Sequence, residues 1–252
     1  MNNQTIEKMK QLKLHGMLRT FAASLETPER ENLSPDEFIA QLIESEWDDR
    51  NQRKLDRSVK TAHFRYKASI EQLSFDTDRN LEKNQIMRLA DCDYIKRKEP
   101  VLITGSTGIG KSHLASALGH HACEQGFKVL YQQSTKLFAR LKLAKADGSY
   151  LKEIAKIERM DLLILDDFLI QPLDTNSRTA MLEIIEDRHG KASTIITSQF
   201  PVNNWHEIIG EQTVADAILD RIVHDAHRIE MKGESLRKKR KQDKTETTTK
   251  KN

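Results

Sequence analysis

Residues 101–112 constrain the fold of this 252-residue chain more than any other stretch. Val101-Leu102-Ile103-Thr104 is a short apolar, β-rich run, and Gly105-Ser106-Thr107-Gly108-Ile109-Gly110-Lys111-Ser112 follows it directly. The octet fits G-x-x-x-x-G-K-[ST] at every fixed position and opens a helical stretch, the context that motif requires. Gly105 and Gly110 permit backbone conformations that turn successive N–H groups toward one point. Those donors and the helix N-terminus are suited to phosphate charge. Gly105, Ser106, Thr107, Gly108, Ile109, Gly110, Lys111 and Ser112 are therefore the expected cradle for ATP. Lys111 is expected to neutralise the β and γ phosphates, and Ser112 to offer its hydroxyl to Mg²⁺.

The stretch after residue 112 repeats the alternation. Short apolar runs at Lys128–Gln132, Leu162–Leu165 and Thr194–Thr197 are separated by helical segments, and a last strand-like run, Arg228–Met231, follows another helical region. Near-continuous apolar strands between helices indicate an α/β core with a parallel sheet covered on both faces. Ligands bind such sheets beyond the carboxyl ends of the strands. Leu162-Leu163-Ile164-Leu165-Asp166-Asp167 puts two carboxylates at such an end. Asp166 is expected to hold Mg²⁺ through its water shell, and Asp167 to orient or deprotonate the attacking water. The run Thr194–Thr197 leads into Ser198-Gln199, where a polar side chain can contact the γ-phosphate or that water. Ser198 is the expected residue, flanked by Thr197 and Gln199. Phosphoryl transfer spreads negative charge that an added arginine can stabilise. Arg221 and Arg237 are the two candidates: periodicity leaves Arg221 open between a surface salt bridge and a neighbouring subunit's nucleotide, and Arg237 could fold back on its own.

The first 70 residues read differently. They are almost free of glycine, and Ile6, Met9, Leu12, Leu14, Met17, Leu18, Phe21 and Leu25 recur at mixed three- and four-residue spacings. Ser34-Pro35-Asp36-Glu37 has the form of a helix start, with Ser34 as cap, Pro35 in the first turn and Glu37 closing a capping box. The net charge of +3 is uneven: Lys232 onward carries nine Lys or Arg against three Asp or Glu, so the rest of the chain is slightly acidic. A basic tail suits an acidic partner such as nucleic acid. No apolar run approaches the ~18 residues of a membrane span. The N-terminus has no apolar segment of the secretory type. With only Cys92 and Cys123, both expected as reduced thiols, the reading is a cytoplasmic protein without membrane association.

With these elements in order, the sequence resembles the DnaC/IstB branch of AAA+ ATPases from about Phe75 to Arg237. The resemblance rests on Gly105–Ser112, Leu162–Asp167, Thr194–Pro201, Leu219-Asp220-Arg221-Ile222 and Arg228–Arg237. Met9–Met17 resembles the IstB side of the branch, helpers encoded by bacterial insertion sequences, more than the helicase loader DnaC. The resemblance implies a P-loop AAA+ ATPase core, with a parallel sheet flanked by helices and a small helical N-terminal domain before it. The implied division is 1–70 for assembly or partner contacts, 71–240 for the ATPase, and 241–252 as a disordered basic tail. It also implies that Arg221 is the arginine finger for a neighbour's ATP and Arg237 the sensor 2 arginine. Residues 134–158 would face duplex DNA, with Lys136, Arg140, Lys142, Lys145 and Lys152 on its phosphates. The implied activity is ATP hydrolysis by a homo-oligomeric ring or spiral that binds duplex DNA and assists a cognate transposase. The rival is a DnaC-like helicase loader. Two departures stand out: Asp167 occupies a position where AAA+ enzymes usually carry Glu, and Thr197-Ser198-Gln199 stands where the sensor 1 residue is often Asn.

Overall fold

The computed structural model describes residues 2–26, 33–75 and 79–235, and the chain divides into two compact units, Met1–Ser58 and Val59–Asn252. Arg237 and the tail 241–252 lie outside the described residues.

The first unit is helical: α1 (Asn2–Gln11), α2 (His15–Glu26) and most of α3 (Pro35–Ala62). The capping box at the start of α3 forms as the sequence suggests. Ser34 N donates to Glu37 Oε2 at 2.7 Å and Glu37 N to Ser34 Oγ at 3.3 Å. Gly16 brings α2 against α3 so closely that a Cβ there would lie 2.0 Å from the Ser45 carbonyl oxygen. That approach lets the buried Glu46 carboxylate accept from the first-turn amides of α2, Gly16 N at 2.8 Å and Met17 N at 3.3 Å. An anion at a helix N-terminus satisfies donors that have no partner within the helix. Arg50 Nε donates to the same carboxylate at 2.7 Å. Burial raises the Glu46 pKa, but Arg50 and the Met17 and Gly16 amides outweigh it and hold the carboxyl below its ordinary value.

The second unit carries a five-stranded sheet: β1 (Val101–Gly105), β2 (Val129–Gln133), β3 (Leu162–Phe168), β4 (Ser193–Ser198) and β5 (His227–Met231). All pairings are parallel, in the order β2-β3-β4-β1-β5. The helices are α4 (Lys83–Ala90), α5 (Asp93–Lys96), α6 (Lys111–Glu124), α7 (Ser134–Asp147), α8 (Tyr150–Glu158), α9 (Thr175–Arg188), α10 (Trp205–Ile209) and α11 (Gln212–Val223). Strand side chains alternate between faces. Ile164 therefore points to α6, where Gly119 abuts it. Leu163 and Leu165 join the core formed with α7, α8, α9 and α11. The apolar strand runs of the sequence follow from this two-sided cover. At the β5 edge, Asn80 Nδ2 and Gln85 Nε2 donate to the carbonyls of Glu230 and Arg228, so those edge groups are paired rather than open. Trp205 is a packing residue: it is fully buried, meets Phe168 edge-on at 5.2 Å and donates Nε1 to Phe200 O.

Candidate functional site

The octet connects β1 to α6, with Lys111 as the first residue of the helix. Gly108 has φ +83°, and a Cβ there would meet Ser235 Oγ at 2.3 Å. The backbone conformation and the close approach of the segment after β5 both call for glycine. Lys111 is buried and donates Nζ to Gly105 O at 2.8 Å and Ser106 O at 2.9 Å. Burial lowers its pKa, while Asp167 and Asp166 pull it partly back, so the acidic pair lies within electrostatic reach of the loop. Thr107 Oγ1 donates to Gln199 Oε1 at 2.6 Å, which ties the loop to the residue after β4.

The acidic pair owes its geometry to a break in the ladder. Leu165 pairs with Ile196 and Phe168 with Ser198, so Asp166 and Asp167 together oppose the single residue Thr197. This is a β-bulge, and Asp167 takes φ +56°, a left-handed conformation that Asp tolerates better than most residues. In a regular strand neighbouring side chains point to opposite faces. Here the bulge brings both carboxylates onto one cation, Arg65. Its Nη1 lies 3.1 Å from Asp166 Oδ2 and 3.0 Å from Asp167 Oδ2. Asp166 is fully buried and also accepts from Thr197 Oγ1 at 2.6 Å and from the Tyr131 hydroxyl. Burial, and then the adjacent Asp166 charge, push the Tyr131 pKa well above its ordinary value, so it remains a donor. Asp167 accepts from Gln133 Nε2 at 3.3 Å, and its backbone N donates to Thr197 Oγ1 at 3.1 Å.

The structure thus brings together the loop, Asp166, Asp167, Thr197 and Gln199. It does not bring Ser198 to them. Ser198 Oγ is buried, donates to Phe168 O at 2.9 Å and accepts from Phe200 N at 3.2 Å, so it closes the strand end. Its neighbour Thr197 instead holds the Asp166 carboxylate and the Asp167 backbone amide. Sequence reasoning also missed Arg65, Tyr131 and Gln133. Gln133, at the carboxyl end of β2, was accessible through the same strand-end rule that found Asp166. Nothing local marks Arg65 or Tyr131.

Hard oxygen donors suit a small divalent cation, and the pair already carries a cation, the Arg65 guanidinium. The donor set therefore fits Mg²⁺ on charge and ligand type. Among the described residues no group of three or more His, Cys, Asp or Glu is placed to hold a metal ion.

Arg221 lies at the other end of the sheet. It lines a cleft of about 180 Å³ with Pro100 and Ala192, which directly precede β1 and β4. It pairs with Glu186 at 3.2 Å and donates Nη1 to Ala217 O at 2.7 Å. The five residues of β1 separate that edge from the loop, about 16 Å at about 3.3 Å per residue. Of the cations of 134–158, Lys136, Lys142, Lys145, Lys152 and Lys156 are exposed. Lys142 is 3.6 Å from Asp174, and Lys145 stands over the Tyr150 ring at 4.8 Å. Arg140 is half-buried and joins α7 to α8 through Glu153 at 3.0 Å. No helix among the described residues is long and apolar enough to cross a membrane.

The parallel sheet, the loop on β1 and the acidic end of β3 define a P-loop nucleotide-binding protein with the AAA+ fold, preceded by a helical region. Solved structures share that fold. The DnaC helicase loader superposes with a TM-score of 0.56 at 21% identity, over 66% of this chain and 98% of that one. DnaI gives 0.57 at 22%, over 66% and 91%. The sequence profile of the IstB-like ATP binding protein family matches residues 7–244, and the chain belongs to that family. An insertion sequence ATP-binding protein of Sinorhizobium fredii is 45% identical over 234 residues, 93% of this chain and 96% of that protein. The IS1162 ATP-binding protein of Pseudomonas fluorescens is 38% identical over 202 residues, 80% and 87% of the two chains. The IS21 ATP-binding protein of Pseudomonas aeruginosa is 30% identical over 233 residues, 92% and 88%.

Proposed function

We propose that this chain is an ATP-hydrolysing helper of an insertion sequence, which assembles with copies of itself on duplex DNA and assists the element's transposase. The observation that carries the reading is the opposition across the sheet: phosphate loop and acidic pair at the carboxyl edge, Arg221 at the amino edge. An arginine there is remote from its own loop and available to a neighbour's, which supports turnover that depends on assembly. Lys111 and the loop amides would bind the triphosphate, and Asp167 would accept a proton from, or orient, the attacking water. Ser112 and Asp166 would hold Mg²⁺, which when bound supplies charge neutralisation at the phosphates. Thr197 and Gln199 take the strand-end role expected of Ser198. Arg237 is proposed for the sensor 2 role, and the approach of Ser235 to Gly108 supports it. The exposed Lys136, Lys142, Lys145 and Lys152 are the proposed phosphate contacts on DNA; Arg140, tied to Glu153, takes a smaller part.

Subunit mixing tests this reading. Lys111→Ala should lose nucleotide binding, and Arg221→Ala should bind ATP but lose DNA-stimulated turnover. A mixture should regain part of the turnover, because an intact loop can then meet an intact Arg221 on a neighbour. Normal turnover by Arg221→Ala alone removes the assembly argument. Duplex binding in a gel shift that is equal with and without ATP counts against ATP-driven assembly. Capture of a replicative helicase rather than the transposase would turn the reading to loading.

A further inference from the structure

Arg65 lies outside every motif, yet the fold delivers it to the acidic pair. Its segment is fixed against α6 and β2 by its neighbours. Phe64 stacks near His120 at 4.7 Å between ring centroids and meets Tyr131 edge-on at 6.3 Å. Tyr66 lies 6.1 Å from the His113 ring. Gly119 leaves the space that Phe64 fills: a Cβ on Gly119 would stand 2.5 Å from Phe64 Cε1. Between these anchors the Arg65 guanidinium, with 38% of its side chain exposed, bridges a fully buried carboxylate and a largely buried one.

Two adjacent carboxylates in a low-dielectric setting repel each other, and a shared cation relieves that repulsion. Arg65 lies against Asp166 Oδ2, while Oδ1 is held by Thr197. A metal drawn to the same pair therefore competes with the guanidinium. We propose that Arg65 is a positioning residue that holds Asp166 and Asp167 together until Mg²⁺ with nucleotide displaces it, and so sets the Mg²⁺ concentration the site requires. The proposal rests on the ATP-site reading above. Partial exposure lets the arm leave toward solvent, whereas the anchors on either side keep it close enough to return after product release. A ligand that must displace a resident group has its apparent affinity reduced by the fraction of sites still closed.

The test is a Mg²⁺ titration of a fluorescent, non-hydrolysable ATP analogue on the full-length protein. Arg65→Met keeps the aliphatic arm and removes the charge. Its half-saturating Mg²⁺ should fall about three- to tenfold below wild type, as expected when the closed fraction is removed. Arg65→Lys, which keeps the charge as a compact ammonium without the planar fork, should lie between the two. Without nucleotide, Arg65→Met should melt lower than wild type in EDTA and regain more on adding Mg²⁺. An Arg65→Met requirement equal to or above wild type overturns the proposal, since a merely structural or phosphate-binding arginine would move it that way or not at all. If Arg65→Met does not fold, Arg65→Lys with wild-type Mg²⁺ dependence overturns it equally. Failure of wild type to bind the analogue would sink the ATP-site reading instead, and the nucleotide-free melts would still decide the role of Arg65.

Discussion

Replacing Thr197 by valine keeps the shape of the side chain and deletes one hydroxyl. In the native site that hydroxyl donates to Asp166 Oδ1 at 2.6 Å and accepts from Asp167 N at 3.1 Å, with Thr197 fully buried. One of these bonds is to a charged group and the other to a neutral amide, together worth about 2–4 kcal/mol. Their loss also frees the bulge that sets both carboxylates. Supporting contacts of this kind around a metal and its ligands typically alter activity by about 10- to 100-fold. Thr197→Val should therefore lose about 2–4 kcal/mol in urea denaturation and, assayed well below its melting temperature with DNA and saturating Mg-ATP, show a kcat lower by about 10- to 100-fold. The matched control is Ser198→Ala. It deletes two neutral hydrogen bonds, to Phe168 O and from Phe200 N, for about 1–2 kcal/mol of stability. Its kcat should stay close to wild type. If Ser198→Ala loses turnover as Thr197→Val does, or Thr197→Val keeps it, the assignment of the strand-end role to Thr197 is wrong.

Three further outcomes are expected. Gly16→Ala drives a methyl group to 2.0 Å from Ser45 O and should cost about 1–3 kcal/mol, read from the urea midpoint by circular dichroism; an unchanged midpoint removes the close contact of α2 and α3. Glu46 has its pKa held below the unfolded value of 4.5; its contribution is therefore complete above that value and disappears as pH falls through the lower native one. Wild type and Glu46→Gln should differ by about 2 kcal/mol at neutral pH and converge in acid, and a constant difference down to pH 3 contradicts this. Burial pushes the Cys92 thiol up to about 11 and Cys123 up to about 12; at pH 8 both should be silent to a thiolate-specific reagent until denaturant is added, and fast labelling of the native chain would show the helices around them open.

Residues with local signatures were legible in advance, and residues assembled by the sheet were not. The octet, the four aliphatic residues before Asp166 and the Ser34–Glu37 box each carry their geometry within a few positions. The expected strands recur as β1 to β5 with ends moved by one to three residues. The choice of Ser198 failed to meet the loop for a reason that strand alternation alone cannot give. The bulge adds a residue to β3 without adding one to β4, so Thr197 faces both Asp166 and Asp167 while Ser198 turns to Phe168 O. A bulge at an aspartate in left-handed conformation leaves no mark that distinguishes Asp166-Asp167 from an ordinary strand end. Arg65 is separated from Asp166 by a hundred residues of chain, and its approach depends on Phe64, Gly119 and His120 packing in three dimensions.

The same bulge bears on the departure at Asp167. A glutamate there would carry its carboxylate one methylene farther from a backbone already fixed at φ +56°. With Asp, one guanidinium nitrogen spans both acids at 3.0 and 3.1 Å. The shorter side chain is thus matched to a shared cation, which couples the two acids in the resting site before they part into the proposed roles of metal ligand and base. Coupling of that sort makes the resting site self-contained, held by Arg65, Tyr131, Gln133 and Thr197 from its own chain. In the proposed function the site is completed by Arg221, which lies at the far edge of the sheet. On that reading Arg65 holds the site closed until Mg²⁺ with nucleotide displaces it, and a neighbour's Arg221 completes it, so turnover would depend on assembly as well as on substrate concentration.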